Sequence, residues 1–156
     1  MNGKVSLSLL AAAVLAFACG PRSRNEVSSA QSETPRPSIV ADANSPLATS
    51  LDITVADEVN FNFSVVNASK KKLEVNFNDG QMHELVVLDA QGREVWRWSE
   101  GKMFTQSIQN RVLRTSDTIE FTEAWEDPLP GKYTAVATLA SENYPVERRV
   151  EFTVRQ

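Results

Sequence analysis

From Leu51 onward the chain alternates apolar and polar positions with a period of two. Leu51, Ile53 and Val55 alternate with Asp52 and Thr54; Val59, Phe61, Phe63 and Val65 alternate with Asn60, Asn62 and Ser64. Leu73, Val75 and Phe77 repeat the pattern, and Val150, Phe152 and Val154 close the chain in the same way. Such alternation turns one face of each strand to a core and the other to water. Leu85 to Leu88 is a continuous apolar run, which predicts a central strand covered on both faces. No stretch keeps a helical period.

Turn chemistry separates these runs: Asn67-Ala68-Ser69 with Lys70, Lys71 and Lys72, then Asp79-Gly80, Asp89-Ala90-Gln91-Gly92, Ser99-Glu100-Gly101, Pro128-Leu129-Pro130-Gly131 and Asn143-Tyr144-Pro145. Glycine supplies positive φ in such turns and proline presets φ. Short strands punctuated this way predict an all-β domain, an antiparallel two-sheet sandwich of about eight to nine strands, over residues 51–156.

Upstream the pattern changes twice. Residues 5–18 form an uncharged, largely apolar run after Lys4 and end at Cys19, the single cysteine. This matches a signal-peptide core, and it is shorter than the ~20 apolar residues a membrane-spanning helix needs. Two processing routes fit residues 1–18. Ala16-Phe17-Ala18 suits an ordinary signal peptidase, whereas Leu15-Ala16-Phe17-Ala18-Cys19 resembles a bacterial lipobox with its leucine displaced by one position. An exported protein with one unpaired thiol favours the route that consumes it, so Cys19 is expected to carry the lipid. Residues 19–50 are rich in Ser, Pro, Ala, Asn and Thr and lack aromatics, which predicts a lipidated N-terminus and a disordered tether spanning ~30 Å. The expected location is the cell envelope, on the outer membrane if the host has two, because Gly20 follows the cysteine rather than Asp.

Charge narrows the partners. Lys and Arg number 16 and Asp and Glu 20; without Lys4 the balance is 15 against 20. No basic face is available to neutralise phosphates, so nucleic acid is not an expected partner. His83 is the sole histidine, which excludes a histidine-based metal cluster and leaves any Ser-His-Asp triad to depend on it; beside Glu84 it reads as an exposed or hydrogen-bonded structural residue. Glu120, Glu123, Glu126 and Asp127 lack the spacing of a calcium loop and read as a solvated acidic loop. Lys70-Lys71-Lys72 is a weak basic patch, and Asn67-Ala68-Ser69 matches a glycosylation sequon but also an ordinary turn. No cofactor, metal or catalytic set is expected, and the chain does not read as an enzyme.

The most distinctive stretch is Val95-Trp96-Arg97-Trp98-Ser99, followed by Phe104. Trp96 and Trp98 share a strand face; they read as core, with a stacking platform for sugar or peptide as the alternative. Together with Asn67-Ala68-Ser69, Phe77-Asn78-Asp79-Gly80-Gln81 and Pro130-Gly131-Lys132-Tyr133, this segment resembles the BsuPI family of bacterial proteinase inhibitors, which includes related domains in exported lipoproteins. The resemblance implies an immunoglobulin-like sandwich in which Trp96, Trp98, Phe104, Gly131 and Tyr133 are motif and core residues. For function it implies inhibition of a subtilisin-type serine proteinase; the alternative is a non-inhibitory envelope lipoprotein whose sandwich binds a partner protein or envelope polymer. An inhibitor presents a rigid loop to the cleft, and the turns at residues 99–105 and 141–146 are the candidates. Lys102 and Met103 in the first, and Asn143 and Tyr144 in the second, are the expected contact residues.

Overall fold

The alternating runs become antiparallel strands whose apolar faces meet. The structure is a computed structural model and describes residues 40–41 and 45–155. Its strands are β1 (Val40–Ala41), β2 (Leu47–Val55), β3 (Val59–Asn67), β4 (Leu73–Phe77), β5 (His83–Asp89), β6 (Glu94–Arg97), β7 (Gln109–Leu113), β8 (Thr118–Trp125), β9 (Gly131–Leu139) and β10 (Val146–Val154). Apart from the two-residue β1 these are nine strands, and no helix is present among the described residues. One sheet has the order β1-β2-β3-β8, the other β10-β9-β5-β6, and β4 pairs with β7 as a separate ribbon. Every pairing is antiparallel. The architecture is the expected all-β sandwich.

The core lies where the alternation placed it. Val59, Phe61, Phe63 and Val65 of β3 are at most 1% exposed, as are Leu85 and Val87 of β5 and Val75 and Phe77 of β4. Phe61 bridges the two sheets: its ring stacks on Trp96 at 5.7 Å and meets Phe152 of β10 edge-on at 5.9 Å. Asn67 ends β3 fully buried, its Nδ2 donating to the carbonyls of Lys71, Leu113 and Arg114 while Oδ1 accepts from the backbone N–H and hydroxyl of Ser69. A buried amide stays stable when its donors and acceptors are occupied in this way. The sequon is therefore a turn, with its asparagine sealed inside.

Two expectations change. Strand β2 begins at Leu47, four residues before the alternating pattern starts at Leu51, and Leu47, Ala48, Thr49, Ser50 and Leu51 are all buried. A strand start buried on both faces shows no alternation, and its Ala48, Thr49 and Ser50 resemble tether in sequence. Val40 and Ala41, also within the expected tether, pair with Thr49 and Ala48. The Leu85–Leu88 run does lie in an interior strand, β5, between β9 and β6, but Val86 and Leu88 are only half-buried and one face stays partly open. Residues 1–18, Cys19 and the expected tether at 20–39 and 42–44 lie outside the described residues.

Candidate functional site

The chain between β6 and β7 is the longest connection among the described strands, and its first half is organised around Trp98. Trp98 continues the β6 ladder, its N–H donating to Leu85 O at 2.9 Å. Gly101, with φ +71°, turns the chain in a conformation that side chains rarely tolerate, and Lys102 N–H closes the turn onto Ser99 O at 3.1 Å. The next three residues then point in, out and in. Lys102 lays its ammonium 4.3 Å from the centre of a Trp98 ring, and Phe104 sets its ring 5.5 Å from Trp98. Met103 between them is 97% exposed. Gly80 N–H then pins the chain at Thr105 O, at 2.8 Å.

Beneath this loop lies a polar pair that sequence reasoning did not assemble. His83 of β5 is buried, its ring stacked between Trp98 at 3.9 Å and Phe121 at 4.1 Å. Its Nε2 lies 3.0 Å from Glu123 Oε1 on β8, and the other Glu123 oxygen faces the Lys102 ammonium at 3.9 Å. Burial pushes the His83 pKa down to about 4; Glu84 opposes this and Lys102 reinforces it. Burial raises Glu123, against the pull of Lys102 and the Trp98 indole N–H. At neutral pH the imidazole is neutral, and its Nε2 shares a hydrogen bond with the Glu123 carboxyl. Glu123 thus belongs to a strand facing inward and not to the solvated acidic loop expected for it. Period two could have found it, because Phe121, Glu123 and Trp125 share a face. His83 shares its face with Leu85 and Val87 in the same way.

The outer face of β5 carries a second network. Glu84 accepts from Ser99 Oγ, from Arg97 Nη1 at 2.9 Å, from Leu85 N–H at 3.0 Å and from Gln81 Nε2 at 3.2 Å. Burial alone would raise its pKa, but the hydrogen bonds from Ser99, Arg97 and Leu85 outweigh it and hold the carboxyl below its usual range. Gln81 and Ser99 therefore brace one carboxylate. Ser99 is bound to Glu84, and no hydroxyl is hydrogen-bonded to His83 among the described residues. Among those residues no group of three or more His, Cys, Asp or Glu side chains could hold a metal.

The second candidate loop is built differently. Asn143 donates through Nδ2 to Glu74 O at 2.7 Å and accepts at Oδ1 from Asn76 N–H at 3.0 Å, while Glu142 N–H donates to Asn76 O at 2.8 Å. The loop is stitched along the edge of β4. Tyr144 is half-buried and packs against the core. The structure thus separates the four candidate contact residues: Met103 is displayed, Lys102 is half-exposed and turned onto Trp98, and Asn143 and Tyr144 are occupied by the fold.

The remaining motif residues serve the architecture. Trp96 stacks on Phe61, and Trp125 lies 6.4 Å from it. Tyr133 meets Trp125 edge-on at 5.1 Å and donates its hydroxyl to Leu129 O at 2.8 Å. Gly131 leaves room for that ring, since a Cβ there would sit 3.0 Å from Tyr133 Cζ and Oη.

Among protein-family models, the one described as BsuPI, intracellular proteinase inhibitor, matches residues 47–144. The chain belongs to the BsuPI family. Its BsuPI segment starts at the first residue of β2, runs through the first candidate loop and ends within the second, at Tyr144. A comparison with curated proteins finds no match. Among solved structures the BsuPI chain is similar to a β-glucosidase, EmGH1, from Erythrobacter marinus, at 14% identity and a TM-score of 0.35. That similarity covers 69% of this chain and 16% of the β-glucosidase.

Proposed function

We propose that this protein inhibits a subtilisin-type serine proteinase by inserting the loop at residues 99–105 into its cleft, and that it does so as a lipid-anchored protein of the cell envelope. The family supports the inhibitory role. The observation that carries the choice of loop is the in-out-in sequence of Lys102, Met103 and Phe104, which holds a displayed side chain between two anchors on one tryptophan. A loop already fixed in its bound shape loses little entropy on binding, and this is the usual source of affinity in proteinase inhibitors. Export and anchoring are supported by the apolar run of residues 5–18 ending at Cys19, so the proteinase would be met outside the cytoplasm.

Two measurements test this reading. The full-length chain should inhibit subtilisin competitively with a peptide substrate; no inhibition at micromolar concentration overturns the role. Cys19→Ser should move the protein from the membrane fraction to the soluble exported fraction, or stall its precursor. A mature wild-type protein that is soluble, with a free thiol on Cys19, removes the anchor.

A further inference from the structure

We infer that Met103 is the residue the target proteinase reads, so that this protein selects proteinases with a deep, apolar primary pocket and loses its inhibition when the Met103 sulfur is oxidised. The inference rests on the inhibitory reading above and names the partner's specificity. A large apolar side chain 97% exposed at the crest of a pinned loop has no role in the fold. Between residues 99 and 107 the other exposed side chains, Glu100, Lys102, Thr105, Gln106 and Ser107, are polar. Lys102 is the competing candidate, because a cation would suit an acidic pocket. Its ammonium, however, already lies over the Trp98 ring and 3.9 Å from Glu123, so presenting it would break both contacts and leave Glu123 without that cation. Met103 gives up no such contact: its N–H and C=O make no backbone–backbone hydrogen bond among the described residues, leaving them available to pair with a cleft. An unbranched thioether is flexible and suits a long apolar pocket.

Oxidation follows from the same exposure. Hydrogen peroxide transfers one oxygen to the Met103 sulfur; the O–O bond breaks, water leaves, and the thioether becomes a sulfoxide. The added dipole would have to be desolvated to enter an apolar pocket. Met82 is half-buried against the core and is the slower site.

The test uses the full-length chain with subtilisin as the apolar-pocket probe and trypsin as the acidic-pocket probe. Wild type should inhibit subtilisin and not trypsin. Met103→Asp should weaken subtilisin inhibition at least tenfold without altering the melting temperature, and Met103→Lys should weaken it while gaining on trypsin. Met103→Leu should stay within about threefold of wild type. After peroxide treatment and its removal by catalase, wild type should lose at least tenfold while Met103→Leu does not. If wild type inhibits subtilisin and Met103→Asp does so equally well, the inference falls and the inhibitory role stands. Equal peroxide sensitivity of wild type and Met103→Leu also overturns it. Inhibition of trypsin that Lys102→Ala abolishes would give the place to Lys102. Inhibition of neither enzyme would remove both readings.

Discussion

Trp96 lies in β6 and Trp98 one residue past its end, yet their surroundings have little in common. Trp96 stacks on Phe61 and lies beside Trp125, and through them joins Tyr133 and Phe152 in a cluster made only of aromatic rings. Trp98 meets an imidazole, a phenyl ring and an ammonium, with a carboxylate behind them. The difference follows from what an indole offers. Its area closes a hydrophobic core, and its electron-rich face also accepts a cation. One repeated residue type therefore fastens the two sheets together at the first position and holds an exposed loop at the second.

Removing a member of each cluster should separate these roles. Phe61→Ala should cost about 3–5 kcal/mol in urea unfolding, since a fully buried ring that bridges the sheets is replaced by a cavity. Inhibition by the remaining folded protein should be unchanged. A cost below about 1 kcal/mol would mean that Trp96 and its neighbours are not the fastening.

The second cluster should show itself through pH. The unfolded chain takes up a proton on His83 near its usual pKa of 6.5, whereas the native one resists until about 4. Stability is therefore fully present above that window and falls as pH drops through it, by up to about 3 kcal/mol. Glu123 works the other way, because its raised pKa lets the native state take a proton before the unfolded chain does, which offsets the lower end of the fall. His83→Phe should flatten the decline in urea midpoint between neutral pH and about 4.5. Parallel declines in variant and wild type would assign the pH dependence to other carboxylates.

The smallest effect sharpens the contrast most. Trp98→Leu keeps an apolar side chain but removes the face that holds Lys102, so inhibition should weaken about tenfold while stability falls by only about 1–2 kcal/mol. Inhibition that merely tracks the folded fraction would make Trp98 an ordinary core residue.

Much of the Trp96 side could be read from the chain, and little of the Trp98 side. Alternation in β3 and β4, and Phe152 and Val154 in β10, announces which residues face inward, because burial on one face leaves a period of two. The start of β2 escapes this reading because Ala48 and Ser50 are buried opposite Leu47 and Thr49. The His83–Glu123 pair escapes it for another reason: the partners are 40 positions apart, and their contact depends on how two sheets are laid together. Each residue's face was legible, but the encounter was not. Met103 could be singled out only as part of a turn, since nothing in its neighbours' identities tells that both flanking side chains fold back onto one ring.

Asn143 has a consequence beyond its loop. A sheet edge left open is an invitation to other chains. By bonding to Glu74 O and Asn76 N–H, the Asn143 amide occupies main-chain groups that a stranger's strand would otherwise claim on β4. Three lysines stand just before that strand, adding like charge against a second copy of the same edge. With the Glu142 N–H on Asn76 O, this one side chain closes the middle of that edge to a second strand.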